Sequence, residues 1–339
     1  MKILIVKRDK IGDLLLSTPM LAHLRASRPD AEVHLLASEY NAWVVEGNPD
    51  VDRLWVYRRV RAGGRIRFTA AIERLLQDIR LRRERYDWVI VANGAESPRA
   101  IARGRTVRAK RMVAYCDDAA RYAGITDPLA IDRNRHEMDS LLSMLAPLGI
   151  KAPREALFPR FALPHGAAVF AERWLAQHQL KPRKYVVLGL GARRPKKQPS
   201  AGQVLRWSEH CKRAWDLDTV FMWTPGRSGD PLYPGDDDAA QPVLDAKAPQ
   251  LHPYRGPITE ALGLIWSART SVFSDSGLMH FAAASPGGVL GLFAETDVSA
   301  GPAQFAPRGP KADYLDAARS VAEIPDALLY ERLGRLASP

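Results

Sequence analysis

Two short stretches of the sequence combine residue types that bind phosphate groups or transfer protons. The first, residues 274–284, reads SDSGLMHFAAA and follows an apolar, β-branched run at 270–273. Such a run is typical of a short buried strand, and the small and apolar residues behind it are typical of a helix. Asp275, Ser276 and Gly277 would therefore lie where a strand turns into a helix.

The start of a helix can bind an anion because its first backbone N–H groups lack partners and the helix dipole is positive there. Gly277 has no side chain to keep a ligand at a distance, and Ser276 adds a hydroxyl donor. Asp275 could accept hydrogen bonds from sugar hydroxyls, and His280 lies about one turn further on. The alternative is an N-capped helix with a histidine in the core, and these residues alone leave both interpretations open.

The second stretch, residues 7–13 (KRDKIGD), is a polar loop between a strand at 3–6 and a helix that begins near Leu14. Asp13 would then lie at the carboxyl end of the first strand, where open α/β sheets bind their ligands. A role as a helix-capping aspartate is equally compatible with this position. The loop has no GxGxxG pattern, which argues against a dinucleotide-dependent dehydrogenase.

Predicted strands and helices alternate along the chain. In the first half, strands are indicated at 3–6, 32–37, 54–57, 88–92 and 111–115, and helices at 42–47, 68–85 and 136–148. In the second half, strands are indicated at 185–190, 219–223, 270–274 and 288–293, and helices at 167–179, 202–215, 259–268 and 277–284. Such alternation predicts the α/β class, with parallel, doubly wound sheets.

Proline, lysine and arginine replace this alternation at 149–164, which indicates a domain boundary. We expect an N-terminal Rossmann-like domain at 1–155, a second at 166–319, and a C-terminal helix at 320–339 that packs back across the seam between them. Two such domains facing each other would place Asp13 opposite Asp275 and Ser276 across a single cleft.

The composition is that of a globular protein with a strongly basic first half. The chain has 339 residues, of which 46% are hydrophobic and 26% charged. Cys116 and Cys211 stand alone, which argues against a disulfide framework and against a cysteine-based zinc site. We recognise no signal peptide and no apolar run near the ~20 residues that a membrane span needs.

The positive charge is unevenly distributed. The net charge is +11, and residues 53–111 hold seventeen Lys and Arg against five Asp and Glu. A solvated surface explains any one cluster, but together they suggest an acidic partner: nucleic acid, anionic lipid head groups or an acidic glycan. No recognition helix, zinc finger or aromatic RNA-binding motif accompanies the charge, so nucleic acid is not expected.

Three motifs point to one family. Residues 7–25 follow the pattern KxxxIGDxLLSTPxLxxLR, residues 274–284 follow D-[ST]-G-x-x-H-x-A-A, and residues 191–199 read GARRPKKQP. Together they resemble glycosyltransferase family 9, the ADP-heptose:lipopolysaccharide heptosyltransferases, whose third motif usually reads like WPxKxWP. On that match Lys197 takes the place of the lysine that meets the donor phosphates.

The resemblance implies the GT-B architecture, in which two Rossmann-like domains face each other across a central cleft. It also implies an inverting transfer without metal or cofactor, in which Asp13 is the general base. The donor is then expected to contact Gly191, Arg193, Lys197, Asp275, Ser276, Gly277, Leu278 and His280. The acceptor is expected to contact Lys7, Lys10, Arg61 and Arg65.

The resemblance further implies the substrates. The donor would be a nucleoside-diphosphate sugar, most simply ADP-heptose, and the acceptor the acidic inner core on lipid A, which matches the basic first half of this chain. We expect a cytoplasmic monomer that is peripheral on the inner face of the anionic inner membrane.

Some loops depart from the family pattern, so donor identity stays open. Residues 223–230 read WTPGRSGD, with Arg227 near the place of a glutamate that usually meets the ribose, and 293–298 read FAETDV instead of FGPTDP. Both tryptophans of the WPxKxWP-like loop are missing as well. The run at 236–238 (DDD) is interpreted as solvated carboxylates rather than as a cation site. A sugar-nucleotide epimerase or hydrolase, and a non-catalytic binder of anionic glycans, remain as alternatives on the same fold.

Overall fold

The structure is a computed structural model that describes residues 1–8, 10–58, 61–62, 65–66, 68–192, 194–230 and 235–338. For residues 61–62, 65–66 and 68 it describes the backbone alone. The chain divides into two compact units, Met1–Phe161 and Ala162–Pro339. Each unit is an α/β layer structure built on its own sheet.

The first unit contains a six-stranded parallel sheet and a small antiparallel hairpin. Its strands are β1 (Lys2–Val6), β2 (Glu32–Ser38), β3 (Arg53–Tyr57), β4 (Arg61–Ala62), β5 (Arg65–Ile66), β6 (Trp88–Val91), β7 (Arg111–Tyr115) and β8 (Asp127–Leu129). Its helices are α1 (Ile11–Leu15), α2 (Thr18–Ser27), α3 (Phe68–Arg83), α4 (Pro98–Arg105) and α5 (Glu137–Ser143). The sheet order is β3-β2-β1-β6-β7-β8, and β4 pairs with β5.

The centre of the first sheet is buried because its strands are apolar on both faces. Leu4 and Val6 of β1 belong to one buried cluster with Leu36 of β2, Trp55 of β3 and Val89 of β6. Nearly continuous apolar runs are expected where helices cover both faces of a parallel sheet. Apart from the buried His34 of β2, the polar residues of these strands are concentrated where the strands end, and that is where the chain can present chemistry.

The second unit repeats this plan. Its strands are β9 (Tyr185–Gly189), β10 (Asp218–Met222), β11 (Leu251–Tyr254), β12 (Thr270–Ser274), β13 (Val289–Ala294) and β14 (Ala312–Ala317). Its helices are α6 (His165–Gln177), α7 (Ala201–Trp215), α8 (Asp237–Asp245), α9 (Ile258–Ser267), α10 (Gly277–Ala284), α11 (Pro302–Phe305) and α12 (Asp326–Ala337). The sheet order is β11-β10-β9-β12-β13-β14, with every pairing parallel.

Both sheets have the doubly wound order 3-2-1-4-5-6 when their six strands are counted along the chain. The order reverses between β1 and β6 in the first sheet and between β9 and β12 in the second. Ligands of such sheets bind outside the carboxyl ends of the strands at these switch points. The predicted α/β class with two parallel, doubly wound sheets is confirmed.

The C-terminal helix α12 is part of the core of the second unit. Leu329 and Leu333 lie in one buried cluster with Trp207 of α7. The Trp207 indole donates a hydrogen bond of 2.7 Å to Asp326 at the start of α12. The helix is thereby packed on the sheet that carries β12 and β13.

The predicted helix at 136–148 is wrong in extent, since it is divided into α5 and a 3₁₀ turn at Ala146–Leu148. Pro147 lies in that turn and cannot donate the hydrogen bond that would continue an α-helix. The edge strands β11 and β14 have no counterpart among the predicted elements. Pro253 interrupts the first of them, which is tolerated only at a sheet edge. Among the described residues, no helix has the length and hydropathy needed to span a bilayer.

Candidate functional site

The loops after β9 and β12 meet at the switch point of the second sheet. Lys197 ends a 3₁₀ turn, Pro195–Lys197, and its Nζ lies 2.8 Å from Oδ2 of Asp275, which follows β12 directly. Lys197 is buried with 6% of its surface exposed. The carboxylate holds the ammonium at one position and leaves donors of the three-donor group for a ligand.

Ser276 and Gly191 lie next to each other beside the Lys197–Asp275 pair. Ser276 is the N-cap of α10 and has extended backbone, and its buried Oγ has no hydrogen-bond partner among the described residues. Gly191 has φ +50°, and a Cβ placed on it would lie 3.1 Å from that Oγ. A buried hydroxyl that has no partner in the described part of the chain, next to the Gly277 and Leu278 amides at the start of α10, fits an anion that accepts from all of them.

Glu295 is an acidic neighbour of this loop that sequence reasoning missed. Its carboxylate oxygens lie 3.6 Å from Nη1 of Arg194 and 3.7 Å from Nζ of Lys196. Its φ of +55° lies in the left-handed region, as does that of six other described non-glycine residues. The signal that could have found it is its position directly after β13, the strand next to β12.

An apolar pocket of about 160 Å³ adjoins Gly191. It opens at the carboxyl ends of β9, β10, β11 and β12, where a flat apolar ring system could be held against hydrophobic side chains. The residues around it are Gly191, Met222, Trp223, Thr224, Pro225, Tyr254, Gly256, Ile258, Ala261, Phe273 and Leu278.

Asp237 fixes one wall of this pocket. It accepts hydrogen bonds from the Trp223 indole at 2.8 Å, from the Gly226 amide at 3.0 Å and from Arg255 at 2.9 and 3.0 Å. The Arg255 hydrogen bonds first, and then that of Trp223, hold the Asp237 pKa well below its usual range. The wall is therefore tied to the amino-terminal end of α8 by an ionised carboxylate.

The interpretation of residues 236–238 as solvated carboxylates is wrong in one respect, since these partly exposed side chains also accept hydrogen bonds from the protein. Asp236 accepts from the Thr224 amide and from Gln198, and Asp238 accepts from both the amide and the hydroxyl of Ser228. The three carboxylates bind the loop after β10, because its backbone N–H groups have no strand to pair with. Nothing in the sequence pattern distinguishes this from a solvated run.

His280 lies on α10, four residues after Ser276, and is buried with 5% of its surface exposed. Its ring centroid is 6.4 Å from that of Phe305, at an angle of 55°. The structure thus places it in the interior near the predicted phosphate site, and the contact with a donor stays a prediction.

Asp13 is the third residue of α1, at the carboxyl end of β1 in the first unit. Its Oδ2 accepts a hydrogen bond of 3.1 Å from the backbone N–H of Lys10, which is the exposed N-cap of the helix. The carboxylate is half-buried. The capping interpretation and the catalytic one are compatible, because the cap fixes the direction of the carboxylate.

Lys7 is fully buried beside this loop. Its Nζ donates to Oε1 of Glu137 at 3.3 Å, and the same oxygen accepts from the Gly94 amide at 3.1 Å. Gly94 follows β6, so the three groups join the two sides of the first switch point. The Lys7 ammonium is buried and not exposed to an acceptor substrate here. Its predicted contact with that substrate stays a prediction.

For three of the predicted site residues the structure describes no side chain. Arg193 lies outside the described residues, and so do the side chains of Arg61 and Arg65. Their roles stay predictions.

Within the described part of the chain, one group has the spacing of metal ligands: Glu32, His34 and Glu84. It lies away from both switch points, since Glu32 begins β2. The Lys2 ammonium is 3.0 Å from Glu32 and 2.6 Å from Glu84, and the hydrogen bond to Glu84 is the main reason that its pKa is raised. This cluster is a charge network around a lysine.

Comparison with known proteins identifies the family. The sequence model of glycosyltransferase family 9 (heptosyltransferase) matches residues 74–319, which is more than half of the chain. Lipopolysaccharide heptosyltransferase 3 of Escherichia coli is 23% identical over 300 residues, or 84% of this chain and 81% of that protein.

Solved structures agree on the fold. A family 9 glycosyl transferase from Veillonella parvula DSM 2008 has a TM-score of 0.81 at 17% identity, covering 99% of this chain and 97% of that one. E. coli ADP-heptose lps heptosyltransferase II has a TM-score of 0.76 at 19% identity, covering 99% and 98%. The resemblance inferred from the motifs is confirmed: the chain belongs to glycosyltransferase family 9 (heptosyltransferase) and is a glycosyltransferase with the GT-B fold.

Proposed function

We propose that the protein transfers a heptose, with inversion, from ADP-heptose to an acidic lipopolysaccharide-core acceptor, and that Asp13 is the general base. The observation that carries the proposal is the arrangement of Lys197, Asp275 and Ser276 beside an apolar pocket. The names of two relatives, lipopolysaccharide heptosyltransferase 3 and ADP-heptose lps heptosyltransferase II, support the choice of donor and acceptor.

The second unit binds the donor in this proposal. The nucleobase enters the apolar pocket, where Leu278 and Trp223 contribute to the lining. The diphosphate lies over Gly191 and accepts hydrogen bonds from Ser276, from the first amides of α10 and from Lys197. Asp275, already held by Lys197, accepts from a hydroxyl of the sugar.

The chemical step is a single displacement at the anomeric carbon. An acceptor hydroxyl oxygen forms a bond to that carbon from the face opposite the diphosphate, and Asp13 takes the hydroxyl proton. The bond from the carbon to the diphosphate oxygen breaks, and its electron pair leaves with the nucleoside diphosphate. Attack from the opposite face inverts the configuration.

Protein groups stabilise the charge that grows on the leaving group. Lys197 is preorganised by Asp275, and Arg194 and Lys196 are held nearby by Glu295. Fixed positive groups of this kind stabilise a developing oxyanion without reorganising during the reaction. We therefore expect transfer to continue in the presence of EDTA.

The first unit recognises the acceptor, and the protein works at the inner face of the inner membrane. The excess of Lys and Arg at 53–111 supports this part of the proposal, because an inner core with carboxylates and phosphates is acidic. An anionic leaflet attracts such a surface by about 1 kcal/mol per basic residue near the membrane.

The test is a calorimetric titration with ADP, UDP, GDP, CMP and dTDP, followed by assays with the matching sugar nucleotide and a Kdo–lipid A acceptor. We expect selective ADP binding, and donor consumption only when acceptor is present. Donor turnover without acceptor would replace the proposal by an epimerase or hydrolase. Absence of nucleotide binding would replace it by a non-catalytic glycan-binding protein, and selective binding of another nucleotide would replace the donor.

A further inference from the structure

The outward face of helix α3 is apolar. Ile72, Leu75, Leu76 and Ile79 have 62%, 62%, 50% and 38% of their surfaces exposed. Their spacing, i, i+3, i+4 and i+7, places all four on one side of a helix. We call this row of side chains the apolar stripe.

The inward face of the same helix is largely polar. Arg103, which is 1% exposed, forms an ion pair with Asp78 and donates a hydrogen bond of 2.7 Å to Gln77. Gln77 also donates to the Val56 carbonyl at 2.8 Å. An ordinary surface helix packs its apolar side on the core and turns its polar side to water. Helix α3 is attached largely through polar groups, together with the fully buried Leu81 near its C-terminal end, and its apolar stripe is left outside.

Basic residues flank the apolar stripe. Arg80, Arg82 and Arg83 are exposed on the last turns of α3. The carboxylates of the helix are neutralised, because Glu73 lies 3.4 Å from Arg58 and Asp78 pairs with Arg103. The surface around the apolar stripe is therefore positive.

Four exposed apolar side chains in one row differ from the singly scattered ones found on most surfaces. The apolar stripe needs a partner that combines an apolar interior with negative charge. A second copy of this chain would present the same basic surface, so two positive surfaces would face each other, which is unfavourable. An anionic bilayer has head-group phosphates for the arginines and acyl chains for the apolar stripe.

We propose that α3 is an interfacial membrane helix: it lies flat on an anionic bilayer, with the apolar stripe inserted at the level of the upper acyl chains. Its 16 residues give a helix of about 24 Å, and apolar area together with basic flanks is what such helices use. The inference deepens the proposed function, on which it rests only for the location of the protein at a membrane.

The first experiment is co-sedimentation of the full-length protein with vesicles of phosphatidylcholine alone or with 30% phosphatidylglycerol. We expect the protein to bind the anionic vesicles, and the double variant Leu75→Ser/Leu76→Ser to bind at least about tenfold more weakly, since two apolar side chains no longer leave water. Val298→Ser/Leu328→Ser removes two exposed apolar residues of the second unit and is the matched control. Equal binding of the two double variants would overturn the proposal.

Charge is tested separately. Arg80→Glu/Arg83→Glu should weaken anionic-vesicle binding more than Arg173→Glu/Arg213→Glu, which changes the net charge equally at exposed positions of the second unit. Equal losses would show attraction by net charge alone, without docking through α3, and would contradict the proposal.

Insertion has its own readout. Leu76→Cys supplies an exposed thiol for an environment-sensitive dye, because Cys116 and Cys211 are both buried. The dye fluorescence should shift to the blue when anionic vesicles are added, and no shift would show that the apolar stripe stays in water. A lipid-free dimer of the wild type that Leu75→Ser/Leu76→Ser dissociates would reassign the apolar stripe to self-association.

These measurements contain no nucleotide or sugar, so their outcome is independent of the transfer reaction. Normal transfer to a delipidated core oligosaccharide by Leu75→Ser/Leu76→Ser, together with lost vesicle binding, would support the membrane role of α3 alone. Vesicle binding through α3 in a protein that binds no nucleotide would leave this inference standing while the proposed function fails.

Discussion

Lys197 Nζ lies 2.8 Å from Asp275 Oδ2, although 78 positions separate the two residues in the chain. The contact joins the first strand of the second sheet to the fourth, across the switch point. From the sequence alone, Lys197 could be interpreted as a surface lysine and Asp275 as a helix-capping aspartate. Held together next to the buried Ser276 hydroxyl, they form a preorganised pair in which the carboxylate orients the ammonium.

Lys197→Ala should weaken ADP binding by about tenfold to a hundredfold, because a hydrogen bond from a charged donor contributes about 1.5–3 kcal/mol. Isothermal titration calorimetry measures the affinity. Lys196→Ala is the control: Lys196 is the preceding residue and is far more exposed, with 67% of its side chain accessible. We expect it to cost less than Lys197→Ala, and equal affinity of Lys197→Ala and wild type would place the phosphates elsewhere.

Asp13→Asn should lower the transfer rate by about 10²- to 10⁴-fold, which is the usual contribution of a general base. The amide oxygen of asparagine can still accept from the Lys10 N–H, so helix α1 should stay capped and the thermal midpoint should change little. ADP affinity should stay at the wild-type value. Asp30→Asn, an exposed position of the same unit, is the control. Wild-type turnover in Asp13→Asn would remove Asp13 as the base.

Asp237→Asn should weaken ADP binding by about threefold to tenfold, because the pocket wall would lose the ion pair with Arg255 and one of the two acceptor oxygens that bind Arg255, Trp223 and Gly226. Asp245→Asn, on the same helix but bonded to Gln241, should leave the affinity unchanged. Intrinsic Trp fluorescence would report a change in the surroundings of the Trp223 indole. An unchanged ADP affinity in Asp237→Asn would show that the nucleobase does not contact this wall of the pocket.

The pH dependence of the wall follows from the direction of the Asp237 pKa. A carboxyl group whose pKa is depressed by folding stabilises the folded state above its unfolded pKa of about 3.9 and loses that contribution only as the pH falls through the folded value. The wall should therefore persist between pH 5 and 8. ADP titrations at both pH values should show the same wild-type to Asp237→Asn affinity ratio.

Local sequence signals were sufficient to predict the bounds of a strand and the helix that directly follows it. The bounds of β12 and α10, Thr270–Ser274 and Gly277–Ala284, are those predicted from a β-branched run followed by glycine and small residues. The edge strand β14 has the sequence ADYLDA and lacks an apolar run that would predict a strand. Because it lies at the edge of the sheet, it is only partly buried and can contain polar residues.

Long-range pairings could not be read from residue types. Glu295 meets Arg194 and Lys196 only because β13 lies beside β12 in the folded sheet. The residue types also do not predict which face of α3 turns toward the protein. An amphipathic pattern predicts only that a helix has a polar and an apolar face. The polar face of α3 turns inward because its Asp78 pairs with the buried Arg103, which the pattern does not predict.

Glu137→Ala should destabilise the protein by about 2–4 kcal/mol, because it removes a carboxylate partner from the fully buried Lys7 ammonium and an acceptor from the Gly94 amide. Chemical denaturation followed by circular dichroism measures the loss. Lys7→Met/Glu137→Leu removes both charges and should cost less than Glu137→Ala alone, since no buried ammonium loses its partner. The coupling energy between the two residues follows from the cycle of Lys7→Met, Glu137→Leu and Lys7→Met/Glu137→Leu, which separates the charge pair from the packing losses of the single variants. A double variant that is less stable than Glu137→Ala would show that Lys7 is held chiefly by groups other than Glu137.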